Sequence, residues 1–329
     1  MSETPSDLPE PTFEGVLAAR ARIRDHLDPT PLRHYPALDR LIGTEVWVKH
    51  ENHLPTGAFK VRGGINLTSQ LSDDERSRGL IAASTGNHGQ SVAYAANLFG
   101  VKATICVPEQ ANPVKVRSME DLGATIVRHG RDFDDAREHC ESLADEHGYR
   151  YVHSGNEVHL VEGVGTYTLE MLDARPDIHT VIVPIGGGSG AAGVCLAGKG
   201  TRSDLEVIGV QAAAAPAAYR SWKEGKLVTD EMKTAAEGLA TRTAFALPQQ
   251  ILRRMLDDFI LVSEDEIRAA VVRFIETTRN LVEGAGASSL AAAIQLRERL
   301  RGRRVALVAS GGNITVDQLR EALAWTNAG

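Results

Sequence analysis

The sequence predicts an α/β protein with a parallel sheet covered by helices on both faces. Two observations carry that expectation. Short, continuously apolar runs alternate along the chain with longer stretches of helical periodicity. Three of those runs end in turns rich in glycine and short polar residues, at 84–90, 186–190 and 310–313. Open α/β sheets bind their ligands at such strand tips.

The first 12 residues are polar, acidic and proline-bearing. They have neither the basic start nor the apolar core of a secretory signal, and a loosely draped arm is expected. Residues 13–27 place Val16, Leu17, Ala19, Ala21 and Ile23 at helical spacing, and Asp28-Pro29-Thr30-Pro31 ends that helix. Residues 44–49 alternate like a strand, Pro55 and Gly57 mark a turn, and 65–70 opens a helix. Residues 71–78 are charged and read as a surface connection. Strands are expected at 80–83, 103–107 and 124–127, with helices at 86–99, 113–122 and 133–144, followed by Tyr151-Val152. Asp132, Asp134, Asp135, Glu138 and His139 lie on different faces of the 133–144 helix, as on a solvated surface rather than at a metal site. A helix at 160–172 leads to the run 180–185, apolar throughout like a strand buried on both faces. Strands at 206–210 and 304–308 bracket helices at 264–278 and 285–300.

With 329 residues the chain suits one large or two ordinary domains, and its 43% hydrophobic content is enough to bury a core. A net charge of −7 without a long basic run argues against nucleic acid and anionic membranes as partners. No apolar stretch is long enough to span a bilayer. Cys106, Cys140 and Cys195 are few, odd in number and far apart, as suits a reducing cytoplasm.

The chemistry starts at Lys60, in Thr56-Gly57-Ala58-Phe59-Lys60-Val61-Arg62-Gly63. An amine held in an apolar cleft forms an imine with a carbonyl cofactor; a surface lysine on a loop is the plain alternative. Ser84-Thr85-Gly86-Asn87-His88-Gly89-Gln90 follows a strand and opens a helix, where backbone N–H groups bind anions. Gly186-Gly187-Gly188-Ser189-Gly190 offers a concave row of N–H groups to a phosphate. Gly188 to Gly193 also reads as the dinucleotide pattern. The acid that pattern needs at the tip of the next strand is absent, because Gln211 stands there and Glu206 lies at the wrong end. Ser310, at the tip of the last strand, points toward the same crevice.

These four segments, in this order and spacing from about Leu32 to Asn313, resemble the pyridoxal-phosphate-dependent serine/threonine dehydratases, a family that includes serine racemases. The resemblance implies fold type II: two open, twisted, mostly parallel sheets flanked by helices. It places residues 1–74 and 153–329 in a large cofactor-binding domain and 75–152 in a small domain inserted within it. It also implies a homodimer that acts on a small amino acid.

Position by position, the resemblance makes Lys60 the lysine joined to the cofactor and Phe59 its neighbour beside the ring. Asn87 would bond the cofactor's 3′-oxygen, and Gly186, Gly187, Gly188, Ser189 and Gly190 the phosphate. Ser310 would face the pyridine nitrogen, with Gly238 and Glu283 flanking the ring. Ser84, Thr85, Gly86, Asn87 and His88 would hold the substrate carboxylate. Thr85 also stands near the place where racemases put a hydroxyl base. A dehydratase would remove the α-proton with Lys60 and expel the β-hydroxyl, leaving a 2-oxo acid and ammonia; a neutral Ser310 partner favours that prompt elimination.

Gln211, followed by Ala212 to Ala215, replaces the glutamate with which many relatives begin a divalent-cation site, so no metal is expected there. A regulatory domain after Asn313 is not expected either. His50, His53, Arg62, Thr241, Arg242 and Thr243 are more polar than threonine alone requires. They suggest a polar or acidic β-hydroxy amino acid such as 3-hydroxyaspartate, unless they lie on the surface. The rival readings are a serine racemase, a nicotinamide-dependent oxidoreductase and a cofactor-binding protein without turnover.

Overall fold

The computed structural model describes residues 9–326. Ten strands form two open sheets flanked by helices: β1 (Leu32–His34), β2 (Glu45–His50), β3 (Leu80–Ala83), β4 (Ala103–Val107), β5 (Thr125–Arg128), β6 (Arg150–Tyr151), β7 (Thr180–Pro184), β8 (Glu206–Ala212), β9 (Asp258–Val262) and β10 (Arg304–Ala309). The six-stranded sheet runs β1-β2-β10-β7-β8-β9 and the four-stranded sheet β5-β4-β3-β6. Every pairing is parallel except β1 with β2. The predicted α/β architecture therefore holds.

Alternation along each central strand feeds two cores. Val181, Val183, Val207, Ala306 and Val308 pack into one, against the helices Val158–Ala174 and Ser189–Thr201. Ile182, Ile208, Val210, Val305, Leu307 and Ala309 pack into the other, against Glu264–Thr278 and Gly284–Gln295. The four-stranded sheet divides likewise, with Leu80 and Ala82 on one side and Ile81, Ala83 and Cys106 on the other, where Cys140 of the helix Phe133–His147 packs against them.

Several elements differ from the expectation. Residues 73–78 form a short helix, Asp73–Arg78, started by a reciprocal cap between Ser72 and Glu75. The helix after the turn begins at Lys60 itself (Lys60–Thr68), not at 65. The expected arm is fixed at its C-terminal end, where the Thr12 hydroxyl accepts the Gly15 N–H at 2.9 Å and Glu10 pairs with Arg254 at 3.1 Å; its first eight residues lie outside the described ones. Asp132 caps the helix Phe133–His147 by accepting the N–H groups of Asp134 and Asp135. Among the described residues no cluster of three potential metal ligands occurs. No helix there is long and apolar enough to cross a membrane.

Arg62 is fully buried in an ion network beneath the Lys60 helix. Its Nε lies 2.6 Å from Glu51 and its Nη1 2.6 Å from Glu170, while Lys49 reaches Glu170 at 2.5 Å. Arg62→Ala strands the buried Glu51 carboxylate and leaves Glu170 with Lys49 alone, and is expected to lower stability by about 3–5 kcal/mol, read as a fall in the denaturant midpoint. Arg62→Lys should recover only part of it, because an ammonium cannot fork to two carboxylates. An unchanged midpoint would refute the structural role.

Candidate active site

Parallel strands expose their C-terminal ends together, and four segments of interest follow such ends. β2 leads to Lys60, β10 to Ser310, β7 to the glycine loop and β3 to Ser84. The first three strands are neighbours in the large sheet. A backbone bridge from Ala58 to Gly311 and a 3.0 Å bond from the Phe59 N–H to the Ser310 carbonyl clamp the Lys60 turn to the tip of β10.

Lys60 is the first residue of its helix, and its amine is enclosed by neutral groups. It donates to the Ser154 carbonyl at 3.1 Å and to the Ser189 hydroxyl at 3.3 Å. It sits 5.4 Å from the centre of the Phe59 ring. No carboxylate opposes the desolvation, which pulls its pKa from 10.5 down to about 8. At pH 7 about a tenth of this amine is unprotonated, against well under a thousandth for a lysine of pKa 10.5, and that neutral share is what a nucleophile or base requires.

The glycine loop admits no side chains. A Cβ on Gly186 would stand 2.2 Å from the Gly238 carbonyl oxygen, and one on Gly187 2.3 Å from the Phe245 ring. Gly188 has a φ of +96° and precedes the helix Ser189–Thr201, for which it supplies no side-chain cap. The N–H groups of this 13-residue helix therefore remain to bind an anion beside Lys60. The Phe59 ring lies against Gly190, 3.1 Å from where a Cβ would stand.

The third segment is held by side-chain hydrogen bonds. The Ser84 hydroxyl accepts the N–H groups of Gly86 at 3.2 Å and Gly89 at 2.9 Å. Asn87 opens its helix and donates from Nδ2 to Glu283 at 2.8 Å, while its Oδ1 accepts Asn313 at 2.7 Å. Burial raises the Glu283 carboxyl above its ordinary pKa. His88 bonds the Val152 carbonyl through Nε2 at 2.9 Å, and its buried Nδ1 has no partner. Burial and, next, the charge of Lys60 depress its pKa to about 3, so the ring is neutral. Thr85 and Gly86 are partly exposed, and a Cβ at Gly86 would meet open space. Ser310 is 6% exposed at the tip of β10, and Gly238 packs against Ala285.

The polar residues singled out near Lys60 divide differently. Arg62 faces the buried network, not the cleft. His50 bonds Tyr35 at 2.9 Å and stacks on His53, which bonds Asn280 at 2.7 Å. Thr243 bonds Thr229. Arg242 alone points across to the other sheet, 3.9 Å from Asp134. Sequence reasoning missed His153 and Ser154, which follow β6 at the cleft; only their place after a short strand could have marked them.

The enclosed amine, the side-chain-free loop before a helix N-terminus and the buried serine at a strand tip fit the aldehyde, phosphate and ring nitrogen of pyridoxal phosphate. Comparison with known proteins agrees. A family model described as "Pyridoxal-phosphate dependent enzyme" matches residues 23–311. An L-threonine ammonia-lyase of Thermotoga maritima is 36% identical over 94% of this chain and 77% of its own length. An L-threo-3-hydroxyaspartate ammonia-lyase of Saccharomyces cerevisiae is 33% identical over 92% of this chain and 94% of its own. The solved structure of maize serine racemase superposes with a TM-score of 0.90 at 29% identity, covering 97% of this chain and 99% of that one. The chain belongs to the pyridoxal-phosphate-dependent enzymes of fold type II, in the serine/threonine dehydratase family that also contains serine racemases.

Proposed function

We propose that this protein is an ammonia-lyase that eliminates water from a β-hydroxy amino acid, with 2-oxo acid and ammonia as products. Serine, threonine and 3-hydroxyaspartate are the candidate substrates. The observation that carries the reading is the Lys60 amine, enclosed without a counter-ion between the Ser154 carbonyl and the Ser189 hydroxyl. Pyridoxal phosphate, when bound, supplies the aldehyde that joins the amine and the ring that accepts electrons from the substrate's α-carbon.

Each remaining role falls to a residue of the chain. Lys60 Nζ would hold the cofactor and, as a free amine, would accept the substrate's α-proton. N–H groups from Gly186 to Gly190, with the Ser189 hydroxyl, hold the phosphate. Phe59 supports the ring, and Ser310 offers its nitrogen a neutral hydroxyl. Asn87, fixed between Glu283 and Asn313, orients the cofactor's ring oxygen. Gly238 and Glu283 flank the ring. Ser84, Thr85, Gly86, Asn87 and His88 form the cradle for the substrate carboxylate, and Thr85 offers a hydroxyl on the face opposite Lys60. The α-proton would go to Lys60, and the resulting ammonium would return a proton to the β-hydroxyl, which leaves as water. Water then replaces the nitrogen, which departs as ammonia.

The same proposal takes 75–152 as a small domain inserted between 1–74 and 153–329, and the enzyme as a cytoplasmic homodimer. Three buried free cysteines support the reducing compartment. At the C-terminal end of β8, the Gln211 side chain accepts the Tyr219 N–H at 3.0 Å, and alanines follow it. A neutral amide among methyl groups is no ligand set for a hard cation.

Purified protein should be coloured with pyridoxal phosphate and should convert at least one of L-serine, L-threonine and L-threo-3-hydroxyaspartate to a 2-oxo acid and ammonia. Lys60→Ala should remove both the visible band and turnover. Protein that gains no visible band with the cofactor, or that yields D-serine without pyruvate, contradicts the lyase. The rate at which cofactor-free protein combines with pyridoxal phosphate should rise through about pH 8 and level off, because the neutral amine accumulates there. A rise continuing toward the ordinary lysine value of 10.5 would show a solvated amine. Chelation of divalent cations should leave turnover unchanged; loss restored by magnesium or calcium would place a cation site elsewhere.

A further inference from the structure

Beside the reacting amine lies a buried hydroxyl whose own proton no group of the protein accepts. Ser189 is 3% exposed and is the first residue of the helix Ser189–Thr201. Its Oγ accepts the Lys60 amine at 3.3 Å. Among the described residues that is its one hydrogen bond, so its O–H donates to nothing there. Buried donors are seldom left idle, and this one faces the place where a ligand binds. It also sits at the positive end of a helix dipole, which favours handing its proton to an electron-rich oxygen.

The other groups around Lys60 accept or repel a proton but cannot pass one on. The Ser154 carbonyl, 3.1 Å from Nζ, has no proton to give. His88 and His153 are the titratable rings that feel the Lys60 charge. Burial first and that charge next hold their pKa values at about 3 and about 4, so neither ring takes up a proton near neutral pH. His88 already bonds the Val152 carbonyl through Nε2 at 2.9 Å, and a carbonyl relays nothing further. Nδ1 of His153 is occupied by the N–H groups of Gly155 at 3.0 Å and Asn156 at 2.9 Å. A hydroxyl is different, because it accepts on oxygen and donates its own proton in the same motion without bearing a charge. Loss of water needs such a carrier. Lys60 gains a proton from the α-carbon, and hydroxide departs from the β-carbon only as it is protonated.

We propose that Ser189 is a catalytic hydroxyl that carries the proton from Lys60 to the departing β-oxygen. One Nζ–H bond breaks as an O–H bond forms on Ser189 Oγ. The original Oγ–H bond breaks as an O–H bond forms on the β-hydroxyl, which leaves as water. Lys60 ends neutral and Ser189 ends as it began. A hydroxyl turns about its C–O bond, so the same proton rests on a phosphate at the helix start and swings to the β-oxygen when the bond there breaks. The inference rests on the lyase reading and adds a proton carrier to it.

Two measurements on wild type and Ser189→Ala test the relay. The first, at saturating pyridoxal phosphate, takes the ratio of kcat for the hydroxy amino acid that reacts fastest to kcat for β-chloro-L-alanine, whose chloride leaves without a proton. Ser189→Ala should lower that ratio by about 100-fold, as loss of a general acid does. The second uses cofactor-free protein and follows its rate of combination with pyridoxal phosphate against pH. The midpoint should fall below the wild-type value of about 8, because the Lys60 ammonium loses an acceptor that favours its charged form. A ratio equal to that of wild type overturns the relay, whether both reactions slow together or neither slows. A midpoint that stays in place overturns it too, since the hydroxyl is then not engaged with the amine. Failure of the lyase reading looks different: wild type itself then releases no 2-oxo acid from serine, threonine or 3-hydroxyaspartate, and the relay falls with it.

Discussion

Four charges sealed beneath one helix govern the rest of the site. Glu51, Glu170, Arg62 and Lys49 form a neutral set in the interior, joined by bonds of 2.5 to 2.9 Å. Such a network is costly to desolvate, and it holds only while each member keeps its partners. It ties β2, the helix Val158–Ala174 and the helix Lys60–Thr68 together. Lys60 and Arg62 are two positions apart on that last helix, so their side chains leave it in nearly opposite directions. The network that anchors Arg62 inside therefore aims Lys60 outward into the cleft. It also claims the nearby carboxylates. With both acids committed to Arg62 and Lys49, nothing negative is left to offset the desolvation that lowers the Lys60 pKa.

Backbone placement supplies the other half. The tips of β2, β10 and β7 lie side by side because the strands are parallel neighbours. The loops after them are thus in reach of one small ligand without any long excursion of the chain. Glycine is needed where those loops meet other backbone. Gly186 abuts the Gly238 carbonyl with no room for a methyl group, and Gly311 lies against the Glu283 carboxylate, which a methyl group would have to displace. Small residues here serve packing and ligand approach together, and the same crowding keeps the loop from relaxing away from the helix start it feeds.

Much of this was legible in the sequence, because apolar strand runs and glycine turns are local signals. The buried strands at 180–184 and 304–309 and the helices between them are read off periodicity. The short elements were not. β1 has three residues, and the capping pair Ser72 and Glu75 opens a six-residue helix with no buried residue, so no apolar period announces it. The role of Arg62 was hidden for a different reason. Its partners Glu51 and Glu170 are 11 and 108 positions away, and a lone arginine beside a reactive lysine reads as a substrate ligand until those contacts are seen. His153 was invisible likewise: its position at the cleft depends on the pairing of β6 with β3.

The electrostatics of the cleft follow from how its acids are held. Glu237 is drawn to Lys115 at 2.5 Å, and Glu283 is bonded to Asn87 and raised in pKa by burial. With Glu51 and Glu170 bound below, each of these carboxylates is answered by a donor other than Lys60. The groups left facing the cleft are then helix N–H groups, hydroxyls, neutral histidines and cations. Such a surface attracts anions at two places, the start of the Ser189 helix and the start of the Asn87 helix. The first suits the phosphate of the cofactor and the second the α-carboxylate of an amino acid, so two helix starts divide between them the anionic groups that Lys60 must bring into reaction.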